Sequence, residues 1–360
     1  MKSAAYWAQR AESRQQGYEK DSQQTLRLLK KAHQEASLSI QEDIDRILAR
    51  YMKSYKLSRV EALHLLSEPV GREEYERLLL RIESEKLPKA QRKKLHAVAS
   101  SGAYAYRINS LELLSDNIRV SIYKLADIKV LAVSAGLSAI AKRAHSKAMF
   151  DIQQGVGIGF SFQALNERVI TQILKNPWSG KTFSERIWQD ADKLAELLNE
   201  KLTAGLMTGS SVKQITSEFM PYVLLSEEEL KLTVGEQMAI SYRRAERLVR
   251  TELNYVSGQV ELESYRESGI KRYQFLATLD NRTSQICIEL DGKTFLVAQA
   301  APGKNHPPMH PNCRSGSTPV IDSKAIAHMT RLAKNPETGE RYKVPASMTY
   351  TQWRKTFEET

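Results

Sequence analysis

The sequence predicts a mainly α-helical protein with a small α+β C-terminal domain, in which long helices precede a short-stranded sheet. Three observations carry this expectation. Residues 1–150 are dominated by Ala, Leu, Glu, Lys, Gln and Arg, with apolar residues recurring at three- and four-residue steps. A second long periodic segment follows residue 226. Beyond it the period shifts toward two in "KRYQFLATLD", "KTFLV" and "TPVI", runs enriched in β-branched and aromatic residues.

Taken in order, "DSQQTLRLLKKAHQEASLSIQEDIDRILARY" sets Leu26, Leu29, Ala32, Ala36, Ile40, Ile44 and Leu48 on one stripe, as a helix laid against a partner surface requires. Pro69 and Pro88 interrupt the pattern in "SEPVGREE" and "EKLPKAQRKK", and the acidic or basic residues after them open new helices. The texture changes to "QQGVGIGFSF" and "NPWSGKTFSERIW", read as a hinge and then a compact helical unit. Ser226 is placed to cap "EEELK". Tyr242, Ala245, Val249, Leu253, Val256 and Val260 then step along one long helix to a stop at Gly269. The expected division is an N-terminal helical region over 1–150, a hinge and helical middle region over 151–225, a C-terminal domain over 226–325 and a tail over 326–360.

At 360 residues the chain is long enough for two or three domains, and 26% charged with 41% apolar residues is the balance of a folded globular protein. No apolar run approaches the ~18 residues of a spanning helix, and the first twenty residues lack a signal-peptide core. Both point away from the membrane and toward the cytosol. Cys287 and Cys313 are too few for a disulfide scaffold, which leaves thiols or metal ligands. A formal charge of +11 draws the chain toward polyanions, nucleic acid first and acidic protein surfaces next. Lys89, Arg92, Lys93 and Lys94 in "PKAQRKK" are the local candidates for nucleic-acid contact, with a solvated helix start as the plain alternative.

Several motifs exclude function classes. "SGKTF" resembles the end of a phosphate-binding loop, but the glycine required five residues before Gly180 is Lys175. The "GVGIG" run lacks the strand-then-helix context of a dinucleotide fingerprint and reads as a flexible link. Glu261 and Glu263 lie two apart on a helix, point to different sides and are expected on a solvated face. Arg250 and Glu252 of "RTE" diverge in the same way, each expected to meet a structural ion-pair partner elsewhere. A zinc deaminase needs a His-x-Glu element and a Pro-Cys-x-x-Cys element, and neither occurs. No nucleophile has a convincing base beside it, so the expectation is no enzyme and no cofactor.

The most specific local signal is "HPPMHPNCRS". Cys287, His310 and Cys313 supply three metal-ligand side chains, two of them in one short turn, but a fourth has no obvious place. His306 lies four before His310, yet Pro307, Pro308 and Pro311 forbid the helix that would align the two. The expectation is a proline-stiffened, metal-free closing loop, with zinc binding by Cys287, His310 and Cys313 as the alternative.

The order of elements from about residue 240 resembles the phage head morphogenesis family, the Mu protein F-like minor capsid proteins. The features that carry it are the helix with Arg250, Thr251 and Glu252, then Gly269 before a strand, "DNRTSQIC", "LDGKTF" with Gly292, and the Pro308, Pro311, Cys313 and Arg314 end. "NPWSGKTFSERIW" is similar to the helical region before that domain. The resemblance implies a low-copy virion component in the head interior near the portal, passing through the host cytoplasm during assembly and acting in head assembly and in DNA packaging or delivery. The portal protein, scaffold or major capsid protein, and non-specific double-stranded DNA are the implied partners. Where many relatives carry Cys-x-x-Cys and Cys-Arg-Cys, this chain has "CIEL" and "CRS", which weakens the zinc alternative. Some relatives bear an appended toxin domain, for which the stretch from Asp322 to Thr360 is too short. The rival reading is a zinc-dependent nucleic-acid enzyme such as a nuclease.

Overall fold

The computed structural model describes residues 4–47, 69–99, 109–157, 159–207, 234–278, 282–321, 330–334, 338, 340–345 and 356. Its helices are α1 (Ala4–Ile47), α2 (Arg72–Ser84), α3 (Lys89–Ala99), α4 (Ser110–Val156), α5 (Glu167–Lys175), α6 (Phe183–Met207), α7 (Val234–Glu267) and the short α8 (Gln285–Leu290). The strands are β1 (Arg272–Leu276), β2 (Thr294–Leu296), β3 (Gly316–Val320), β4 (Thr330–Lys334) and β5 (Arg341–Pro345). The chain is mainly helical with a small C-terminal sheet, as its periodicity predicts. Leu48, the Ser226 cap and part of "DNRTSQIC" lie outside the described residues.

Local chemistry sets the helix ends. Asn109 and Glu112 close a reciprocal capping box at the start of α4: the Asn109 side chain accepts from the Glu112 N–H at 2.8 Å, and the Glu112 carboxylate accepts from the Asn109 N–H at 2.9 Å. α2 and α3 begin just after Pro69 and Pro88, where the breaks are expected. α7 stops at Gly269, whose φ of +67° only glycine adopts cheaply. There the Ile270 N–H reaches back to Tyr265 O at 2.8 Å and the Gly269 N–H to Arg266 O at 3.0 Å, a Schellman end.

Two compact units make up the chain, one of residues 25–133 and 183–246, the other of residues 1–24, 134–182 and 247–360. In the first unit the stripe from Leu26 to Ile44 is buried as its spacing predicts. Arg81 anchors the polar side of this unit, donating to Asp43 at 2.6 Å, Asn117 at 2.7 Å, Ser121 at 2.8 Å and Ser39 at 3.0 Å. The buried Lys129 ammonium lies 3.7 Å from Asp190.

The second unit holds the sheet. Its order is β2-β1-β3, antiparallel throughout, with Tyr273 of the central strand opposite Phe295 and Pro319. Tyr273 and Phe275 are fully buried, and Pro319 sits on an outer strand, where its missing N–H costs no central ladder bond. Tyr273 packs with Met149, Ile152, Leu262, Tyr265, Ile270 and Val297 in one apolar cluster. β4 and β5 pair as a separate antiparallel hairpin in the segment read from sequence as a tail.

Two expectations are corrected in this unit. "GVGIG" is not a flexible link at its start: Gly155 lies in the last turn of α4, and a Cβ there would fall 2.0 Å from the Trp7 ring. Gly157, at φ +72°, then ends the helix with its N–H on Gln153 O at 3.0 Å. Glu261 is not on a solvated face. Together with Asp151 it holds the buried Arg14 guanidinium, at 3.0 Å and 2.7 Å.

Candidate functional site

α7 is the surface on which the C-terminal loop is built. Thr251, Asn254, Gly258, Leu262 and Tyr265 step by three or four residues and so share one side of the helix. The Asn312 N–H donates to Thr251 Oγ1 at 3.0 Å, Asn254 Nδ2 to Ser315 O at 2.9 Å, and the Tyr265 hydroxyl to Ser317 O at 3.3 Å. Gly258 leaves room for the His306 ring between these tethers. From 251 to 257 every residue of α7 is buried, so the helix is central here and its polar side chains must find partners inside. A different side of α7 takes the "NPW" segment: Trp178 stacks on Tyr255 with centroids 5.0 Å apart and donates to Glu252 at 3.3 Å, while Asn176 donates to the Tyr255 hydroxyl at 2.8 Å. Buried Glu252 and exposed Arg250 diverge as the sequence predicts.

The loop is fixed by its own hydrogen bonds. The Gly303 N–H meets Pro308 O at 3.0 Å, the Tyr273 hydroxyl donates to Asn305 O at 3.1 Å, and Asn305 Oδ1 accepts from the Ala301 N–H at 2.8 Å. The Pro307–Pro308 peptide is cis. "HPNC" forms a tight turn: the Cys313 N–H donates to His310 O at 3.1 Å, with Asn312 left-handed at φ +60°. Thr278 Oγ1 donates to Arg314 O at 3.0 Å, joining the end of the loop to the stretch after β1. Gly292, at φ +73°, turns the chain from α8 into β2, with its N–H on Phe275 O at 3.0 Å. The two histidines expected in this loop are separated. His306 is buried and edge-on to Tyr273, its centroid 5.1 Å away, whereas His310 faces the cysteines.

Cys287, His310 and Cys313 converge. Their ligand atoms all lie within 4.8 Å of one another. The two sulfurs are 3.9 Å apart, and Cys287 Sγ is 3.5 Å from His310 Nε2. Both cysteines are free thiols, buried with Phe275 and Ala277 and flanked by Leu290 and Met309. Burial, with Cys287 alongside, pushes the Cys313 thiol up. His310 Nδ1 donates to Pro311 O at 2.9 Å, which leaves Nε2 with its lone pair on the sulfur side. Ser284 is the residue that sequence reading missed. It occupies the N-cap position of α8 without capping it, and its hydroxyl lies 2.8 Å from His310 Nε2. A serine just ahead of "QIC" is the only trace of this in the sequence, and it reads equally as an ordinary cap.

The basic candidates belong to α3 in the other unit. Arg92 pairs with Glu83 at 3.2 Å and Lys94 with Asp192 at 2.7 Å. Lys89 and Lys93 are exposed. No described helix is long and apolar enough to cross a membrane.

Residues 196–317 match the family model described as phage Mu protein F like protein, an interval that takes in α7, the β2-β1 pair and the cysteine–histidine loop. An NAD(+)–arginine ADP-ribosyltransferase of Enterococcus faecalis is 27% identical over 241 residues, 62% of this chain and 46% of that protein. An uncharacterized protein of Haemophilus influenzae is 25% identical over 170 residues, 44% of this chain and 37% of that protein. The chain thus spans less than half the length of these curated relatives. No solved structure matches it. The match falls on the motifs that carry the family resemblance, and over residues 196–317 the chain is similar to the phage Mu protein F-like family.

Proposed function

We propose that this protein is a minor head component of a tailed phage, associated with the portal inside the head and acting in head assembly and in DNA packaging or delivery. The observation that supports it is the coincidence of the Mu protein F-like interval with the tethered loop: the residues that make the family match also bind the loop to α7 through Thr251, Asn254 and Tyr265. The work assigned to this region is architectural, holding a rigid closure against a long helix. The +11 formal charge suits contact with packaged DNA. The transferase activity named for the enterococcal relative belongs to a protein of which this chain covers 46%, and Glu261, one of two neighbouring carboxylates, is committed to Arg14 and Tyr18.

The test is co-expression with the portal protein of the same phage. Co-purification as a defined complex, and density for this chain at the portal vertex in cryo-EM maps of intact heads, are the expected results. A head population lacking the chain at that vertex would overturn the assignment. Incubation with plasmid DNA and divalent metals should leave the DNA intact; cleavage lost on His310→Ala would favour the rival nuclease.

A further inference from the structure

We propose that Cys287, His310 and Cys313 bind one thiophilic divalent cation of the zinc class, with the fourth coordination position given to solvent beside the Ser284 hydroxyl. The distances carry the argument. A tetrahedral ion with Zn–S of about 2.3 Å and Zn–N of about 2.0–2.1 Å sets two sulfurs ~3.8 Å apart and a sulfur and a nitrogen ~3.5 Å apart. Two of the three observed separations, Cys287–Cys313 at 3.9 Å and Cys287–His310 at 3.5 Å, match these values, and the third, Cys313–His310, is within 4.8 Å, so the "HPNC" turn closes further when the ion binds. A sulfur pair at 3.9 Å is far from the ~2.05 Å of a disulfide.

Orientation agrees with distance. The Pro311 carbonyl takes the Nδ1 proton of His310, so Nε2 is presented as a lone pair to the sulfurs, the usual outer arrangement of a metal-binding histidine. The "HPNC" turn, pinned to α7 by Asn312 and Thr251, brings His310 and Cys313 to the same side. Ser284, which does not cap α8, donates its hydroxyl to Nε2 at 2.8 Å in the metal-free site, and on binding the ion takes that lone pair while the hydroxyl turns to the solvent at the open position.

Charge makes the same case. Two thiolates and a neutral imidazole balance a dication, which makes the loaded site neutral within its apolar surroundings of Phe275, Ala277 and Met309. Binding displaces the two thiol protons to solvent. Among the described residues no fourth His, Cys, Asp or Glu joins the group, which leaves an open position rather than a closed four-ligand site. The inference stands independently of the head-protein reading.

The experiment uses the full chain, purified under reducing conditions, stripped with a chelator and titrated with Co²⁺ and then Zn²⁺. Expected are about one Co²⁺ per chain, thiolate-to-cobalt charge-transfer absorption with the visible bands of a tetrahedral ion, and bleaching of both by Zn²⁺. Cys313→Ser should abolish the charge-transfer intensity expected of two sulfurs. His310→Ala, at a half-buried position that the fold tolerates more easily, should weaken Zn²⁺ binding at least about tenfold while circular dichroism stays native. Three outcomes overturn the proposal: a folded chain with no thiolate–cobalt band, a Cys287–Cys313 disulfide in the protein as isolated, or Zn²⁺ affinity unchanged when both sulfurs are replaced.

Discussion

Gly258 of α7 and His306 of the proline-rich loop approach so closely that a Cβ on Gly258 would lie 2.8 Å from His306 Cε1. The ring has nowhere to go: Tyr273 lies edge-on to it, and its Nδ1 donates to Pro307 O at 2.8 Å. In an open helix, Gly→Ala gains about 1 kcal/mol of propensity. Here overpacking costs about 1–3 kcal/mol. Gly258→Ala is therefore expected to lower stability in urea unfolding; a rise in the midpoint would show that the loop yields.

The same histidine makes stability depend on pH. Burial is the largest influence on His306, with the Pro307 hydrogen bond opposing and Arg266 assisting, and together they move it from 6.5 down to about 4. The unfolded chain therefore binds a proton first as pH falls. Stability is full above pH 6.5, declines as pH drops toward 4 and levels off below, by about 3 kcal/mol for this group. His306→Gln should be less stable at pH 7 yet lose less between pH 6.5 and 4. An identical pH slope in the two proteins would remove His306 from the account.

Arg14 is 4% exposed and its partners Asp151 and Glu261 6% and 9%. Arg14→Met leaves two buried carboxylates, with only the half-exposed Arg10 still 3.5 Å from Asp151. The expected loss is about 3–5 kcal/mol at pH 7. Part of it should return on acidification, because protonation neutralises the stranded carboxylates. Equilibrium unfolding at pH 7 and pH 5 measures both effects.

If α3 contacts DNA, Lys89 and Lys93 contribute more than Arg92 and Lys94, whose charges already meet Glu83 and Asp192. Binding to duplex DNA should weaken steeply between about 50 and about 200 mM salt, the log–log slope falling by about 0.9 for each phosphate neutralised. Lys89→Glu with Lys93→Glu should flatten that slope by about two. A slope unmoved by both changes would place the contact elsewhere.

Much of this was legible in the residues. The Leu26–Ile44 stripe, the breaks at Pro69 and Pro88, the stop at Gly269 and the three sheet strands follow from period and turn chemistry, which act within a few residues. The "RTE" motif and the proline loop lie inside the interval that matches the phage Mu protein F-like model. Glu261 was misread because its neighbours in sequence describe only its own helix; the arginine that buries it is 247 positions away. Gly155 was misread because glycine signals freedom in a sequence and close contact in a packed helix.

The sequence by itself determined the helices, the short strands and a loop carrying two histidines and a cysteine, because propensity, periodicity and proline geometry are local. Only the tertiary structure decided which histidine joins the sulfurs. It turned His306 into the apolar interior against Gly258 and Tyr273 and left His310 facing Cys287, 23 positions away, with Ser284 alongside. The physical reason is that a cluster of convergent side chains is defined by distances of a few ångströms between groups on separate elements. Those distances are fixed by how the loop packs on α7, through Asn312 on Thr251 and Ser315 on Asn254, and not by their spacing along the chain.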